Sequence, residues 1–254
     1  MSFTAPVGTH LAEFCDRLDF PLDDFQIEGC QAVEADHGVL VCAPTGAGKT
    51  IVGEFAVSLA LSRGTKCFYT TPIKALSNQK YHDFVREYGE ESVGLLTGDT
   101  SINTEAPIVV MTTEVLRNML YAESTTLIGL GYVIMDEVHY LADRFRGAVW
   151  EEAIIHLPEH VTVISLSATV SNVEEFGAWL DTVRGDTDVI LSEHRPVPLW
   201  QHLMVGNRVI DLFVPDKEAS PTKRRKNHTK SPQNAPAGLR INPLLKQLRP
   251  GFRR

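Results

Sequence analysis

Short apolar runs recur along the chain and alternate with longer segments whose apolar residues return at helical spacing. Such runs are typical of strands buried on both faces of a sheet, and the amphipathic segments predict helices. The predicted strands are Val39–Cys42, Cys67–Thr70, Val93–Leu96, Ile108–Met111, Tyr132–Met135, Val161–Leu166, Val189–Leu191 and a later one over Leu203–Val214. Helices are predicted near His10–Leu18, Asp24–Ala35 and Ile51–Leu61. This alternation predicts an α/β fold with a doubly wound parallel sheet, which binds ligands at the carboxyl ends of its strands.

The stretch from residue 39 to residue 61 combines a strand, a glycine-punctuated turn and a helix. The turn reads Ala43-Pro44-Thr45-Gly46-Ala47-Gly48-Lys49-Thr50. This is the pattern of a phosphate-binding loop, whose backbone N–H groups and helix N-terminus face the phosphates. Lys49 would reach the β- and γ-phosphates and the Thr50 hydroxyl would bind Mg²⁺. The sequence therefore predicts nucleoside triphosphate binding; the alternative is a glycine-rich connection with a chance lysine.

Two consecutive acids follow the predicted strand Tyr132–Met135, where the chain reads Asp136-Glu137-Val138-His139. Acids at the end of an apolar strand have the form of a Walker B element. Asp136 would hold Mg²⁺, directly or through water, and Glu137 would polarise the attacking water. An Asp-Glu pair alone says little, but its place two strand–helix units after a phosphate loop predicts nucleotide chemistry.

An aromatic residue and a glutamine precede the loop, at Phe20 and Gln26. Phe20 could stack on adenine, and the Gln26 amide could both accept and donate at the adenine edge. Taken alone, Phe20 and Phe25 are more typical of core residues. Their position just upstream of a phosphate loop favours the adenine interpretation for Phe20.

Three further strand ends carry hydroxyl residues, at Thr71-Pro72, Thr112-Thr113-Glu114 and Ser167-Ala168-Thr169. Thr71 is predicted to cap a helix with Pro72 in its first turn, and Thr112 to precede another helix. Helix N-termini with free N–H groups suit nucleic-acid phosphates, although an ordinary surface helix begins in the same way. All these ends are expected at one edge of the sheet, beside the phosphate loop.

The net charge of −8 is unevenly distributed. Residues 215–254 hold 11 Lys and Arg against two acids, whereas residues 1–214 hold 13 against 30. A body this acidic does not attract nucleic acid by bulk charge, so binding there must use local groups such as backbone amides. The tail from residue 215, with the basic block Lys223–Lys226, is predicted to be a disordered linker, the alternative being a phosphate contact.

Nothing in the sequence predicts a metal cluster, a disulfide framework or membrane attachment. The four cysteines are scattered, which fits a reducing, cytoplasmic setting. No apolar run approaches the length needed to cross a bilayer, and the acidic N-terminal segment is unlike a secretory signal.

These motifs together resemble motifs I, II and III of superfamily two DExH-box helicases, at Ala43–Thr50, Asp136–His139 and Ser167–Thr169. Other segments resemble the superkiller and exosome-associated RNA helicases more narrowly. They are Thr71–Tyr81 (motif Ia), Met111–Tyr121 (motif Ib), Arg146–Glu152 and His194–Leu199. The resemblance covers roughly residues 18–214 and implies a RecA-like motor domain over 18–200. An N-terminal extension (1–17) would precede it, and an interdomain connection (201–214) would follow.

The resemblance also implies a role for each matching residue. Hydrolysis would be served by Lys49, Asp136, Glu137 and His139, with Mg²⁺ held by Thr50 and Asp136. ATP would be bound by Phe20, Gln26, Ala43, Pro44, Thr45, Gly46, Ala47, Gly48, Lys49 and Thr50. The nucleic-acid strand would be held by Thr71, Pro72, Lys74, Gly98, Asp99, Thr112, Thr113 and Glu114. His139, Ser167 and Thr169 would couple the nucleotide state to the grip on that strand.

By this resemblance the chain is the first motor domain of an ATP-dependent 3′-to-5′ RNA helicase. Single-stranded RNA, a second RecA-like domain and a nuclease would be its partners. The Gln-x-x-Gly-Arg-x-Gly-Arg segment expected of the second domain does not occur in the 254 residues. Arginine fingers contribute on the order of 10³ to 10⁵ in rate in related nucleotide hydrolases. This chain is therefore expected to be a fragment that binds ATP weakly, hydrolyses it slowly and does not unwind duplexes.

Two alternatives remain open at this point. A DNA-processing helicase would carry the same motifs, because they contact phosphates, and only contacts to the 2′-OH distinguish RNA. A non-catalytic, nucleotide-dependent interaction module would bind ATP, and its partner binding would survive the substitution Glu137→Gln.

Overall fold

A mostly parallel sheet forms the centre of the computed structural model, which describes residues 8–142, 147–168, 172–197, 199–215 and 239–247. Among the described residues, the strands of this sheet are β1 (Gly38–Cys42), β2 (Lys66–Thr71), β3 (Val93–Leu96), β4 (Ser101–Ile102), β5 (Ile108–Thr112), β6 (Leu130–Met135), β7 (Thr162–Ser167) and β8 (Thr187–Leu191). Their order is β4-β3-β5-β2-β6-β7-β1-β8, and every pairing except β3–β4 is parallel. The predicted α/β fold with a parallel sheet is confirmed.

Helices cover both faces of this sheet. Within the described residues they are α1 (His10–Asp16), α2 (Asp24–Glu34), α3 (Thr50–Ser62), α4 (Lys74–Tyr88), α5 (Thr113–Tyr121), α6 (Gly147–His156) and α7 (Val173–Arg184), with 3-10 turns at Thr125–Leu127 and Val138–Ala142. Successive residues of a strand point to opposite faces. Val41 accordingly belongs to a buried cluster with Phe55 of α3, and Leu40 to a second cluster with Trp150 of α6. The sheet is therefore doubly wound, with α1–α4 on one face and α5–α7 on the other.

The parallel arrangement creates two chemically different edges. We call the edge where β1, β2, β5, β6 and β7 end the carboxyl edge, and the edge where they begin the amino edge. β7 lies between β1 and β6 in the sheet. The loop after β1 and the acids after β6 are therefore separated by a single strand at the carboxyl edge.

The chain divides into two compact units, with the boundary between Pro196 and Val197. In the second unit, β9 (His202–Val205) and β10 (Arg208–Asp211) form an antiparallel hairpin. The prediction of one strand over Leu203–Val214 is therefore wrong. The reason is the two-residue loop Gly206-Asn207, in which Gly206 has a φ of 59°, as tight hairpin turns require.

The tail differs in part from the predicted disordered linker over 215–254. β11 (Phe213–Pro215) pairs with β12 (Leu239–Ile241), and a 3-10 helix follows at Pro243–Gln247. These residues are held in regular structure by backbone hydrogen bonds. Residues 216–238, with the basic block, and residues 248–254 lie outside the described residues.

The cysteines and the helices bear on the predictions made from composition. The cysteines, all four within the described residues, are free thiols: Cys15 is partly exposed and Cys30, Cys42 and Cys67 are buried. Over the described ranges, the helices are too short or too polar to cross a membrane.

Candidate functional site

The phosphate-loop motif connects β1 to α3 at the carboxyl edge. Gly46 and Gly48 have φ angles of 84° and 85°, the left-handed region that glycine enters without strain. Within the described residues, the N–H groups of Thr45, Gly46, Gly48 and Lys49 have no backbone acceptor. Free amides at the start of a helix form a concave surface suited to an anion. The loop is therefore preorganised for phosphate.

The first residue of the loop, Ala43, is fully buried, and its N–H donates to the carbonyl oxygen of Ser167 at 3.1 Å. This bond ties the loop to the end of β7. An alanine is accommodated here because the loop turns only after this point, at the two glycines.

The two acids after β6 have distinct environments. Oδ1 of Asp136 accepts from the backbone N–H of Glu137 at 2.9 Å, and Oδ2 accepts from the Tyr69 hydroxyl at 2.9 Å. Glu137 has a φ of 54°, an uncommon conformation for a residue with a side chain, of the kind that clusters at functional sites. The turn leaves the Glu137 side chain 27% exposed, so it is accessible at the edge.

A chain of polar contacts joins the three motifs. The Lys49 ammonium, 7% exposed, lies 3.8 Å from Oε1 of Glu137. Nδ1 of His139 lies 3.1 Å from Oε2 of Glu137 and 3.4 Å from the N–H of Ala168. Nδ1 accepts the hydrogen bond from Ala168, and its 3.1 Å contact with Glu137 places the ring beside that carboxylate. The predicted residues of motifs I, II and III are thus brought together.

Of the two coupling residues after β7, only one is described. Ser167 is fully buried and its hydroxyl donates to the carbonyl oxygen of Ala168 at 2.8 Å. Thr169 lies outside the described residues, as do Arg146 and Pro198 of the two accessory segments.

The residues at this edge fit Mg²⁺ together with a triphosphate. The side chains of Thr50 and Asp136 offer oxygen ligands, which Mg²⁺ prefers. No group of three or more His, Cys, Asp or Glu side chains able to hold a metal occurs within the described ranges. A metal here would therefore take its other ligands from phosphate and water, as Mg²⁺ commonly does.

The two candidate adenine residues differ in accessibility. The ring of Phe20 is 51% exposed and available for stacking. Gln26 is only 4% exposed, and its amide already has partners: Oε1 accepts from the N–H of Asp23 at 2.8 Å, and Nε2 donates to the carbonyl oxygen of Gly48 at 2.8 Å. Gln26 thus links the start of α2 to the phosphate loop, and its contact with adenine stays a prediction.

The start of α4 differs from the prediction. Ile73, not Thr71, is the N-cap, and the helix begins at Lys74, after Pro72. Thr71 is still paired with Thr112 in the sheet, and a residue before proline avoids the helical conformation. Its buried hydroxyl contacts the Ser77 hydroxyl at 2.7 Å and donates to the carbonyl oxygen of Ile73 at 3.0 Å. The Thr71 side chain therefore braces the turn.

Lys74 and Asp99 are the exposed charged pair of the candidate nucleic-acid face. Its ammonium lies 2.8 Å from Oδ1 of Asp99, which also accepts from the Thr97 hydroxyl at 3.0 Å. Hydrogen bonds from Lys74 and then Thr97 lower the pKa of Asp99 below its usual value. Gly98 lies beside Lys74 and is exposed. The structure thus brings the Gly98-Asp99 turn against motif Ia.

Motif Ib begins α5, with Thr112 as its N-cap. Thr112 and Thr113 are buried, and the Thr113 hydroxyl donates to the carbonyl oxygen of Thr71 at 3.4 Å. Glu114 is half-buried in the first turn. Thr112 and Thr113 therefore expose little surface, and their contact with a nucleic-acid strand stays a prediction.

Comparisons with known proteins agree with this geometry. Residues 23–176 match the DEAD/DEAH box helicase family. The chain belongs to this family. Over 223 residues it is 65% identical to a probable helicase HelY of Mycobacterium tuberculosis, an alignment covering 85% of this chain and 25% of the relative. Over 208 residues it is 50% identical to Superkiller complex protein 2 of Mus musculus, covering 80% and 17% respectively.

A solved structure of a helicase is also similar. The structure of Mycobacterium smegmatis helicase Lhr bound to ssDNA and AMP-PNP superposes with a TM-score of 0.58 and 27% identity, over 72% of this chain and 27% of that one. The resemblance to superkiller-type DExH helicases and the RecA-like fold are confirmed. The chain spans about a quarter of the length of the HelY relative.

Tyr69 was not among the predicted site residues of this helicase domain. The residue is fully buried on β2, and burial, with the neighbouring Asp136 carboxylate, raises the pKa of its hydroxyl well above the usual value. The hydroxyl is therefore a protonated donor. The available signal was a tyrosine inside a wholly buried strand, because its hydroxyl requires a polar partner.

Proposed function

We propose that this chain is the N-terminal motor domain of an ATP-dependent 3′-to-5′ RNA helicase acting in the cytoplasm. It would bind MgATP at the carboxyl edge and single-stranded RNA across the starts of α4 and α5. The observation that carries the proposal is the 3.8 Å approach of the Lys49 ammonium to Glu137. This contact joins the loop after β1 to the acids after β6 in one site.

The roles of the chain's own residues follow from their positions. The free amides of the loop and the Lys49 ammonium would bind the β- and γ-phosphates, and Thr50 and Asp136 would hold Mg²⁺. When bound, the metal would neutralise phosphate charge. Glu137 would orient the attacking water and accept its proton, while the His139 ring, 3.1 Å away, would limit the movement of that carboxylate.

The nucleic-acid strand would be held mainly through its backbone. Lys74 would contact phosphate in exchange for its ion pair with Asp99, and the N–H groups at the start of α5 would donate to a second phosphate. An acidic body can bind nucleic acid in this way because the contacts are local. Such contacts carry little sequence information, so the specificity of the whole protein would come from other domains or from a partner such as a nuclease.

The likeness to superkiller-type helicases favours RNA. A DNA-processing helicase is the second candidate, because the similar Lhr structure contains ssDNA. The two differ in the 2′-OH. Stimulation of ATP hydrolysis in the longer protein by RNA and DNA strands of matched sequence separates them: stronger stimulation by RNA supports the proposal, and stronger stimulation by DNA overturns its substrate.

Nucleotide binding by the 254-residue chain tests the site itself. We expect Mg²⁺-dependent binding of an ATP analogue. Lys49→Ala should weaken it by about tenfold or more, because a charge-assisted contact with phosphate is lost. Hydrolysis by this chain alone should be slow, because a second RecA-like domain would supply arginine fingers. Unchanged affinity in the Lys49→Ala chain would remove the basis of the proposal.

A further inference from the structure

The buried side chain of Tyr69 contacts Asp136, the candidate metal ligand. The Tyr69 hydroxyl donates to Oδ2 of Asp136 at 2.9 Å, from a ring that is fully buried in β2. The other oxygen of Asp136 accepts from the N–H of Glu137. Each carboxylate oxygen therefore has one fixed donor. A carboxylate has about four lone-pair positions, so about two remain for a metal or its waters.

The Tyr69 ring is itself held from several sides. The ring of Phe84 lies edge-on to it, with centroids 5.4 Å apart, and the Lys80 ammonium lies 5.4 Å from its centroid. Lys80 is fixed in turn by an ion pair with Glu54 at 3.0 Å. A Cβ built at Gly53 of α3 would lie 3.4 Å from the ring, so the phosphate-loop helix packs directly against it. The hydroxyl consequently has little freedom to leave Asp136.

We propose that Tyr69 is a positioning residue that orients the Asp136 carboxylate for metal binding. The inference rests on the proposed function, because it assigns Asp136 to Mg²⁺. A carboxylate that accepts hydrogen bonds from two fixed donors keeps one orientation. It is therefore already ordered before the metal binds, and metal binding has less of the site to order. Partners that orient metal ligands in this way typically contribute about 10- to 100-fold to metal affinity or activity.

The chain offers a matched control for the loss of one buried tyrosine hydroxyl. Tyr132 lies on the adjacent strand β6, is 3% exposed, and its hydroxyl donates to Oδ1 of Asp36 at 3.2 Å. That contact is at the amino edge, away from the candidate site. Tyr132→Phe therefore removes an equivalent group from an equivalent strand without touching Asp136.

The test measures the affinity of the 254-residue chain for a fluorescent ATP analogue in excess Mg²⁺ and in EDTA. We expect Tyr69→Phe to reduce the ratio of the two affinities by about tenfold, with the affinity in EDTA unchanged. Tyr132→Phe should leave the ratio unchanged. All titrations are run at a temperature where circular dichroism shows each variant to be fully folded.

Lys49→Ala separates this inference from the proposed function. If that variant binds as tightly as the unsubstituted chain, the nucleotide site itself is wrong. If it loses binding while Tyr69→Phe keeps the full Mg²⁺ effect, the nucleotide site stands and the positioning role is overturned.

A double substitution checks that Tyr69 acts through Asp136. In a chain that already carries Asp136→Asn, Tyr69→Phe should cause no further loss of the Mg²⁺ effect. An undiminished second loss would show that the hydroxyl acts by another route, which overturns the proposal. A general weakening of the structure would lower the affinity in EDTA as well, so a fall in both affinities by the same factor also counts against it.

Discussion

Two tyrosine–carboxylate pairs lie on one face of adjacent strands, and they serve opposite edges of the sheet. Tyr69 on β2 reaches Asp136 at the carboxyl edge, and Tyr132 on β6 reaches Asp36 at the amino edge. Tyr132 pairs in register with Cys67, two residues before Tyr69, so both rings project from the same face. The two pairs share residue types, and both tyrosine rings are buried. They differ in what surrounds the carboxylate.

The amino-edge cluster is closed. The Arg63 guanidinium donates to Asp36 and to the Tyr132 hydroxyl, and to the carbonyl oxygen of Glu34 at 3.0 Å. These hydrogen bonds join Arg63, Asp36 and Tyr132 in one cluster. The carboxyl-edge cluster is open, because it adjoins loop amides without backbone acceptors. Both edges carry charged residues. The contrast indicates that backbone N–H groups without a backbone acceptor, and not charged residues, distinguish the candidate functional edge.

The largest expected effect is at the open edge. Glu137→Gln keeps the shape of the side chain but removes the proposed general base, so ATP hydrolysis by the longer protein should fall by about 10²- to 10⁴-fold. Binding of an ATP analogue should persist, because the loop and Asp136 are untouched. Steady-state hydrolysis and analogue titration measure the two effects; retained hydrolysis would assign the proton transfer to another residue.

The matched change at the closed edge is Asp36→Asn. Asp36 has a φ of 66°, a conformation that asparagine also tolerates, so the backbone should be preserved. Hydrolysis should be unchanged, and the free energy of unfolding should fall by less than about 1 kcal/mol, as for other exposed ion pairs. A loss of hydrolysis in this variant would break the distinction between the edges.

An effect on stability alone is expected for Arg63→Met. The change keeps the apolar stem but removes the donors to three acceptors, so the free energy of unfolding should fall by about 1 to 2 kcal/mol. Urea unfolding measures this value. Arg86→Met is the control, because Arg86 contacts Asp83 on the surface of α4 with its side chain 78% exposed, and a change below about 0.5 kcal/mol is expected. Equal losses in the two variants would mean that the cluster does not stabilise the fold.

Features formed by residues that are neighbours along the chain could be predicted from the sequence. β5 is buried at every position, and such a strand appears as an unbroken apolar run. The phosphate loop and the Asp136-Glu137 pair were equally visible, because their chemistry lies in neighbouring residues. The Gly206-Asn207 loop was also visible as a hairpin signal but was overlooked.

Features that depend on strand order could not be read in this way. Tyr69 and Asp136 are 67 positions apart, and they meet only because β2 and β6 are adjacent in the sheet. The start of α4 was misplaced because Thr71 has the side chain of a helix cap, yet its backbone is still committed to pairing with β5. The side-chain preference of threonine favours a helix cap at this position, but the pairing of Thr71 with β5 in the sheet prevents it.

The smallest expected effect tests whether the amino edge contributes to stability alone. His37, just before β1, contacts Asp188 of β8, with Nδ1 and Oδ2 3.0 Å apart. The hydrogen bond to Asp188, helped by the charges of Asp188, Asp186 and Asp36, raises the pKa of His37. A raised pKa in the folded state means that this contact stabilises fully below the unfolded value of about 6.5, and that the stabilisation disappears as the pH rises through the folded value. Asp188→Asn should therefore lower the thermal midpoint in mildly acidic buffer and leave it unchanged in alkaline buffer, with Mg²⁺-dependent nucleotide binding unaffected throughout. A deficit that grew with rising pH would contradict this assignment, because only a group with a lowered pKa gives that sign.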